Sequence, residues 1–391
     1  MFYLNQLGMI CALGDNHAEI SRRLFAGDSG VAMTRRYSPE RELALGCVES
    51  LLPDIESLPL KHRSRNNQLA LAALAQIRPQ VDAAIQRFGA NRVAIVLGTS
   101  TSGIAQTEAA FRYRLVNGEL PADFSYAQQE MASPTAMLAT ELGVSGPSYV
   151  HSSACASSAK AMASAARLLK MGICDAVLTG GVDSLCAFTI AGFAALESVS
   201  AARCNPFSAN RNGINIGEGA ALFLMTGAEA TVSLRGWGES SDGYHISAPD
   251  PSGNGARIAM EQALARAGLK PGQCDYVNLH GTATQQNDAM EGRAIAALFG
   301  DQVALSSTKP FTGHALGAAG AVEAGLCWLA MQDSNPQGYL PPHLWDGVRD
   351  LQLPQLNLQA VGARLGHPLR SALSNSFAFG GANASLVLER E

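Results

Sequence analysis

Charge is scarce in this chain. Asp, Glu, Lys and Arg supply 16% of its 391 residues, against about 25% in typical globular proteins, and the balance is a net −5. Nucleic-acid binders carry clustered positive charge, so that class is excluded. Long apolar runs are missing too. The most apolar uncharged stretch, Ser184–Leu196, is too short to span a bilayer. Longer uncharged stretches, Leu142–Ala159 and Ser371–Leu388, are too rich in Ser, Gly and Asn to do so. The opening segment lacks the marks of a secretory leader: its first Lys or Arg is Arg22, and Asn5 and Gln6 interrupt the apolar start. The eight cysteines are scattered with no CxxC pair. That is the usage of a reducing compartment, where a thiol mostly serves as a small core residue. A cytoplasmic protein without a membrane span is expected. No P-loop, no dinucleotide glycine fingerprint after a strand and no metal-ligand spacing occurs.

Small residues and alternation are what the chain has in plenty. Its 39 glycines serve close packing and turns. Buried strands read at Arg92–Gly98, Asp175–Gly181, Thr231–Gly236, Tyr276–Leu279 and Ser371–Ser374. Gly219–Met225 reads as another, although its alanines leave a helix open. Helical patterns lie between them, at Asn66–Phe88, Gly255–Gly268 and Asp288–Phe299. Strands alternating with helices predict an α/β architecture with mostly buried sheets. There is an internal echo as well. Cys155–Leu169 and His314–Met331 are both small-residue helices that lead to a later strand. Two halves, 1–230 and 231–391, are expected, with no linker between them and with the two slim helices back to back.

The stretch Pro147–Ala166 reads as a strand turning into a helix, which places Cys155 at the helix N-terminus. Unpaired backbone N–H groups and the positive dipole end there favour thiolate over thiol. A lone cysteine among alanines is ordinarily core, but a strand-to-helix turn flanked by serines exposes the side chain to a substrate. His280 follows a strand and precedes Gly281, where it either satisfies a loop carbonyl or does chemistry. His314, after Gly313, opens a helix dense in Gly and Ala, where packing has no need of an imidazole. Lys309 and Glu323 stand in the same apolar region, and unpaired charge is costly to bury, so the two are expected to meet. Near the carboxyl end, Phe377-Ala378-Phe379-Gly380-Gly381 suggests either a hydrophobic hairpin or a tight turn whose N–H groups face a ligand. The Gly98–Gly103 turn resembles a hydrolase nucleophile elbow but has Ser102 where that motif needs glycine. A thiol, two imidazoles and an ammonium point to acyl transfer on sulfur.

On these residues and a set of ordered motifs the chain resembles the β-ketoacyl-acyl carrier protein synthases, condensing enzymes of the thiolase superfamily. The motifs run almost end to end: Gly8–Gly14, Asn205-Pro206-Phe207 with Arg211–Gly219, Ser241–His245 with Pro249, His280-Gly281-Thr282, Lys309–Gly320 and Asn375–Gly381. The resemblance implies a thiolase-like fold, with duplicated βαβαβ halves in five layers, and usually a dimer. It implies that Cys155 accepts an acyl chain from a carrier-protein thioester. His280 and His314 would support decarboxylation of a malonyl donor and hydrogen-bond its thioester carbonyl. The backbone N–H groups of Cys155 and Phe379 would form the oxyanion hole, with Phe379 also gating access. Lys309, held by Glu323, would orient His314 electrostatically rather than transfer protons. Neither a metal nor an organic cofactor is implied. The implied partners are the acyl and malonyl forms of acyl carrier protein, and either an identical subunit or a homologous chain-length subunit.

Some residues depart from the family pattern. Ala156-Ser157-Ser158 follows the nucleophile where many members have Thr-Ser-Gly, Thr101 stands where a pocket residue is often apolar, and Glu197 where many have a basic docking residue. These features resemble the shorter ketosynthases of bacterial polyene and type II polyketide clusters, and the substrate stays open between that role and fatty-acid elongation. Lys61, Arg63 and Arg65, with Arg203, form the expected local patch for an acidic carrier. Two rivals remain. A thiolase would need a second cysteine near the carboxyl end, where the last is Cys327. A non-catalytic chain-length subunit would be expected to have replaced Cys155.

Overall fold

The computed structural model describes all 391 residues. The first half runs β1 (Tyr3–Cys11), α1 (His17–Ala26), the hairpin β2 (Ala32–Thr34) and β3 (Leu43–Leu45), α2 (Arg65–Phe88), β4 (Val93–Gly98), α3 (Ile104–Asn117), α4 (Ser133–Leu142), β5 (Ser148–His151), α5 (Ser157–Lys170), β6 (Ala176–Asp183), α6 (Ala187–Ala195) and β7 (Gly219–Thr226). The second runs β8 (Val232–Ser241), α7 (Asn254–Ala267), β9 (Tyr276–Asn278), α8 (Gln285–Phe299), β10 (Ala304–Ser306), the one-turn α9 (Lys309–Thr312), α10 (Ala319–Ala330), β11 (Ser371–Phe377) and β12 (Ala382–Arg390). The segment at 219–226, open to either reading from sequence, is a strand buried on both faces. Ala220, Leu222 and Leu224 point to one core and Ala221, Phe223 and Met225 to another.

Ten strands hydrogen-bond in the order β10-β9-β11-β12-β8-β1-β7-β6-β4-β5. This is one five-strand pattern written twice, β1, β4, β5, β6 and β7 taking the places of β8, β9, β10, β11 and β12. Directions agree as well: β4 is parallel to β5 and β6, and β9 to β10 and β11, whereas β7 and β12 are antiparallel to their neighbours. The two five-stranded sheets join only where Tyr3 pairs with Ser233 and Leu234 N–H donates to the Phe2 carbonyl at 2.9 Å.

Five layers follow from which side chains meet. The inward faces of both sheets, Val96 and Phe223 in one and Ala372 and Leu386 in the other, share a core with α5 and α10. On the outside of the first sheet, Ile95, Leu97 and Leu222 meet α2. On the outside of the second, Leu373 and Val387 meet α7 and α8. The central helices lie back to back because both are lined with small residues. A Cβ on Gly320 would stand 3.1 Å from the Ala159 Cβ and 2.8 Å from Ser376 Oγ, so only glycine fits there. Three residues ahead of each central helix sits a strained non-glycine residue: Ala154 and Leu316, both with φ 47°.

One expectation is corrected here. His314 does not open the second slim helix, which starts at Ala319 after a 3-10 turn at Leu316–Ala318. The chain at 314 is instead held extended, His314 N–H donating to the Asn215 carbonyl at 2.6 Å and Gly217 N–H to the His314 carbonyl at 2.9 Å. No helix is long and apolar enough to cross a membrane.

Candidate active site

β5 ends at His151 and the chain turns into α5 through the strained Ala154. Ser157 Oγ pins this turn, accepting from Ser153 N–H at 2.8 Å and donating to the Ala154 carbonyl at 2.6 Å. Cys155 therefore sits on the turn, ahead of the helix, and its sulfur reaches across to the second half. There His314 Nε2 lies 3.0 Å from Sγ. The His280 ring stands edge-on to His314 with centroids 5.3 Å apart, and edge-on to Phe377 at 6.1 Å. One ligating atom each from Cys155, His280 and His314 fall within 4.8 Å of one another, and all three residues are buried. A thiol and imidazoles this close could also share a soft divalent ion.

Lys309 and Glu323 do pair, with both side chains buried. Lys309 Nζ also donates to the His280 carbonyl at 2.7 Å and lies 3.4 Å from His280 Nδ1. An ammonium can only donate, so Nδ1 of the neutral ring is the acceptor and its proton sits on Nε2, facing the cavity. Lys309 thus touches His280 directly. It acts on His314 through space: burial first, and then the Lys309 charge, hold that imidazole well below its ordinary range. His280 is depressed by burial, Lys309 and His314, so both rings are neutral at pH 7.

The expected thiolate is also corrected. Burial pushes the Cys155 thiol up to about 11, outweighing the Lys309 charge and the backbone N–H groups of Phe379 and of Cys155 itself. Desolvation is the larger effect at a fully enclosed sulfur. Those two amides are the ones that act on the sulfur, lowering the thiol against burial, whereas Gly380 and Gly381 turn theirs to the carbonyls of Ile246 at 2.8 Å and Ala378 at 3.1 Å.

Sequence reasoning missed the carboxylates under the site. Glu291 accepts from His280 N–H at 2.7 Å and Gly281 N–H at 2.8 Å. Asp183 gathers Ser100 N–H, Thr101 N–H and the Thr99 hydroxyl, and also Gly317 N–H from the other half at 2.6 Å. Asp288 binds Phe207 N–H at 2.7 Å. Burial raises all three, Glu291 to about 7 and Asp288 to about 6. Asp183 is a lone acid among small and apolar neighbours, the same signal that singled out Glu323, whereas Asp288 and Glu291 stand in the polar stretch 285–293, where nothing in the sequence marks them. Arg65 leaves the expected docking patch, because its guanidinium grips the buried Glu218 at 2.6 and 2.9 Å. Lys61 and Arg203 stay exposed, and Arg63 is half-buried.

Cys155 and Phe379 stand between two cavities. One, of about 280 Å³, contains both histidines and opens past Glu197, Asn212 and Gln286. The other, of about 340 Å³, lies beyond Cys155 and is walled by Ile104, Phe188, Phe193, Leu196 and Leu316. Phe193 and Phe379, with ring centroids 5.6 Å apart, form the divide. Thr101 turns its hydroxyl to Asp183 at 2.8 Å, leaving its methyl for the apolar chamber. The arrangement suits a carbonyl bonded to sulfur, its oxygen against two amides and its apolar tail in the chamber.

Residues 7–230 match the family described as "Beta-ketoacyl synthase, N-terminal domain", and residues 231–344 match "Beta-ketoacyl synthase, C-terminal domain". The chain is similar to "Nodulation protein E" of Rhizobium leguminosarum bv. trifolii, 32% identical over 400 residues and 98% of each chain. It is also similar to "3-oxoacyl-[acyl-carrier-protein] synthase 2" of Staphylococcus aureus (strain COL), 31% identical across 86% of this chain and 84% of the relative. Among solved structures it resembles a ketosynthase (ApeO) in complex with its chain length factor (ApeC) from Xenorhabdus doucetiae. There the TM-score is 0.94 and the identity 43%, across 100% of this chain and 98% of that one.

Proposed function

From the β-ketoacyl synthase family, to which this chain belongs, we propose that it is a catalytic condensing subunit, a 3-oxoacyl carrier-protein synthase that lengthens a Cys155-bound acyl chain with malonyl carrier protein. The observation that carries this reading is the 3.0 Å contact of Cys155 Sγ with His314 Nε2, beside His280, where the two cavities meet. The first half, 1–230, brings the nucleophile and the second, 231–391, brings the histidines.

In the first step the Cys155 sulfur attacks the thioester carbonyl of an acyl carrier. Charge developing on the carbonyl oxygen meets the Cys155 and Phe379 N–H groups. The bond from the acyl carbon to the carrier sulfur breaks, and the thiol proton ends on the departing carrier sulfur. Burial holds the thiol above its ordinary range and the His314 imidazole below its own, and both shifts disfavour ionising the pair before attack. The proton therefore leaves as the new C–S bond forms. In the second step a malonyl carrier fills the histidine-lined channel. Carbon dioxide departs, leaving its bonding pair as an enolate whose oxygen accepts from His280 Nε2–H and from His314. The enolate carbon attacks the acyl–Cys155 carbonyl, the acyl–sulfur bond breaks, the sulfur takes up one proton from solvent, and a 3-oxoacyl carrier is released.

The chamber suits an acyl chain of fatty-acid, polyene or polyketide type. Phe111, Leu115 and Phe188, 51%, 87% and 67% exposed on α3 and α6, are the face assigned to a homologous subunit. The similar ketosynthase–chain length factor complex supports that pairing. Eight unpaired cysteines suit the cytoplasm. The intact set of Cys155, His280, His314 and Lys309 favours catalysis over a non-catalytic chain-length role. A thiolase would need a second thiol, and Cys155 is the one cysteine on either cavity wall. Incubation with an acyl-carrier thioester and the partner subunit should add one acyl mass to the wild type and none to Cys155→Ala. Equal labelling of the variant, or none of the wild type, refutes the proposal.

A further inference from the structure

Helix α6 builds much of the apolar chamber, yet within this chain it is barely anchored by packing, the exposed Phe188 belonging to the face proposed above for the partner subunit. Phe188, Thr189, Gly192, Phe193 and Leu196 of the chamber wall lie on it or at its end. Ile190 is the single helix residue that is buried. Near Cys155, the end carrying Phe193 is tethered by the tilted Phe379 ring packed against it. The other end, about 7 Å further along the axis, carries Phe188, which lines the chamber but not the histidine channel. Its N-cap residue, Cys186, makes no side-chain capping bond.

The tether at that end comes from another helix. Glu108 of α3 accepts from Ala187 N–H at 3.2 Å through one oxygen and from Phe188 N–H through the other. Two otherwise orphaned donors and the positive end of the helix dipole thereby meet a full negative charge. Glu108 lines neither cavity. We infer that Glu108 is a positioning residue for acyl-chain selection: it ties α6 to α3, holds the far wall of the chamber, and so determines how well long chains are bound. This rests on the condensing function proposed above. A short acyl group on Cys155 meets only the Phe193 end of the wall, which has its own tether. A long one must lie along Phe188, whose position depends on Glu108.

The test is acyl transfer onto Cys155 of the full protein with its partner subunit, from acetyl carrier protein and from the longest acyl carrier that the wild type accepts. Glu108→Ala should lower kcat/KM for the long donor about tenfold, the factor expected for losing a strong cap, and change acetyl transfer less than about twofold. Glu108→Gln keeps one acceptor oxygen and the side-chain shape. It should lose about threefold on the long donor alone, and it decides the matter if the alanine variant fails to fold. Equal losses at both lengths, or none at either, overturn the inference. A wild type that no acyl carrier acylates overturns the condensing function beneath it, so the two failures are distinct.

Discussion

Removing the ammonium of Lys309 should destabilise the protein by an amount that grows with pH. Lys309 and Glu323 are each 1% exposed, and the second Glu323 oxygen has no partner. Burial raises the Glu323 carboxyl to about 7 even with Lys309 pulling it down. From its ordinary 4.5 up to that value, the folded protein keeps a proton that the unfolded chain has released. Stability therefore falls with rising pH across this window, by about 3 kcal/mol in all, and levels off above it. In Lys309→Ala the opposing charge is gone, the carboxyl climbs further, and the fall continues past 7. The gap between variant and wild type should be smallest in acid. It should widen above neutrality by up to about 1.4 kcal/mol per pH unit, toward the ~3–5 kcal/mol of a broken buried pair. Adding Glu323→Gln to Lys309→Ala should remove the widening. Denaturant unfolding at fixed protein concentration, repeated from about pH 6 to 9, measures it. If the two variants give parallel stability–pH curves, the charges do not interact as described.

His280→Ala and His314→Ala should each slow malonyl decarboxylation by about 10²-fold or more while Cys155 acylation stays measurable; carbon dioxide release at the wild-type rate from both would refute their assigned role. Lys61→Glu with Arg63→Glu should raise the apparent KM for carrier-bound substrate, most strongly at low salt, and spare small thioester mimics. An equal effect on both substrate types would move the docking surface elsewhere. Arg65→Ala should instead lower the unfolding midpoint, by about 3–5 kcal/mol of stability, because it strands the buried Glu218; an unchanged midpoint would show that the pair carries no such burden.

Much of the architecture was legible because its signals are local. The β-branched run at 93–98 and the helix capped by Ser64, whose hydroxyl accepts from Asn67 N–H at 3.1 Å, need no tertiary context. The nucleophile and both histidines were legible for a similar reason: reactive side chains stand out among glycine and alanine. Three things were not. The extended chain at His314 looks helical in composition and is straightened by pairing with residues 215–217, which are remote in sequence. The thiol's protonation depends on how completely the second half encloses it, which a local dipole argument cannot see. Arg65 looked like part of a surface cluster until the fold brought Glu218 beneath it.

The repeated fold has a further consequence at the residues that follow the two strained positions. After Ala154 comes Cys155, and after Leu316 comes Gly317. A scaffold with twofold internal symmetry offers two equivalent seats for a nucleophile, and this chain uses one. At the other, a Cβ would stand 2.5 Å from Ser100 Oγ and 2.8 Å from Asp183 Oδ2, while the Gly317 N–H is already bonded to Asp183. The vacant twin has become a joint that fastens the histidine-bearing segment to the turn at 99–101. Filling it with a side chain would push that joint apart and misalign His314 over Cys155, so the division of labour between the halves cannot be undone by restoring the symmetry.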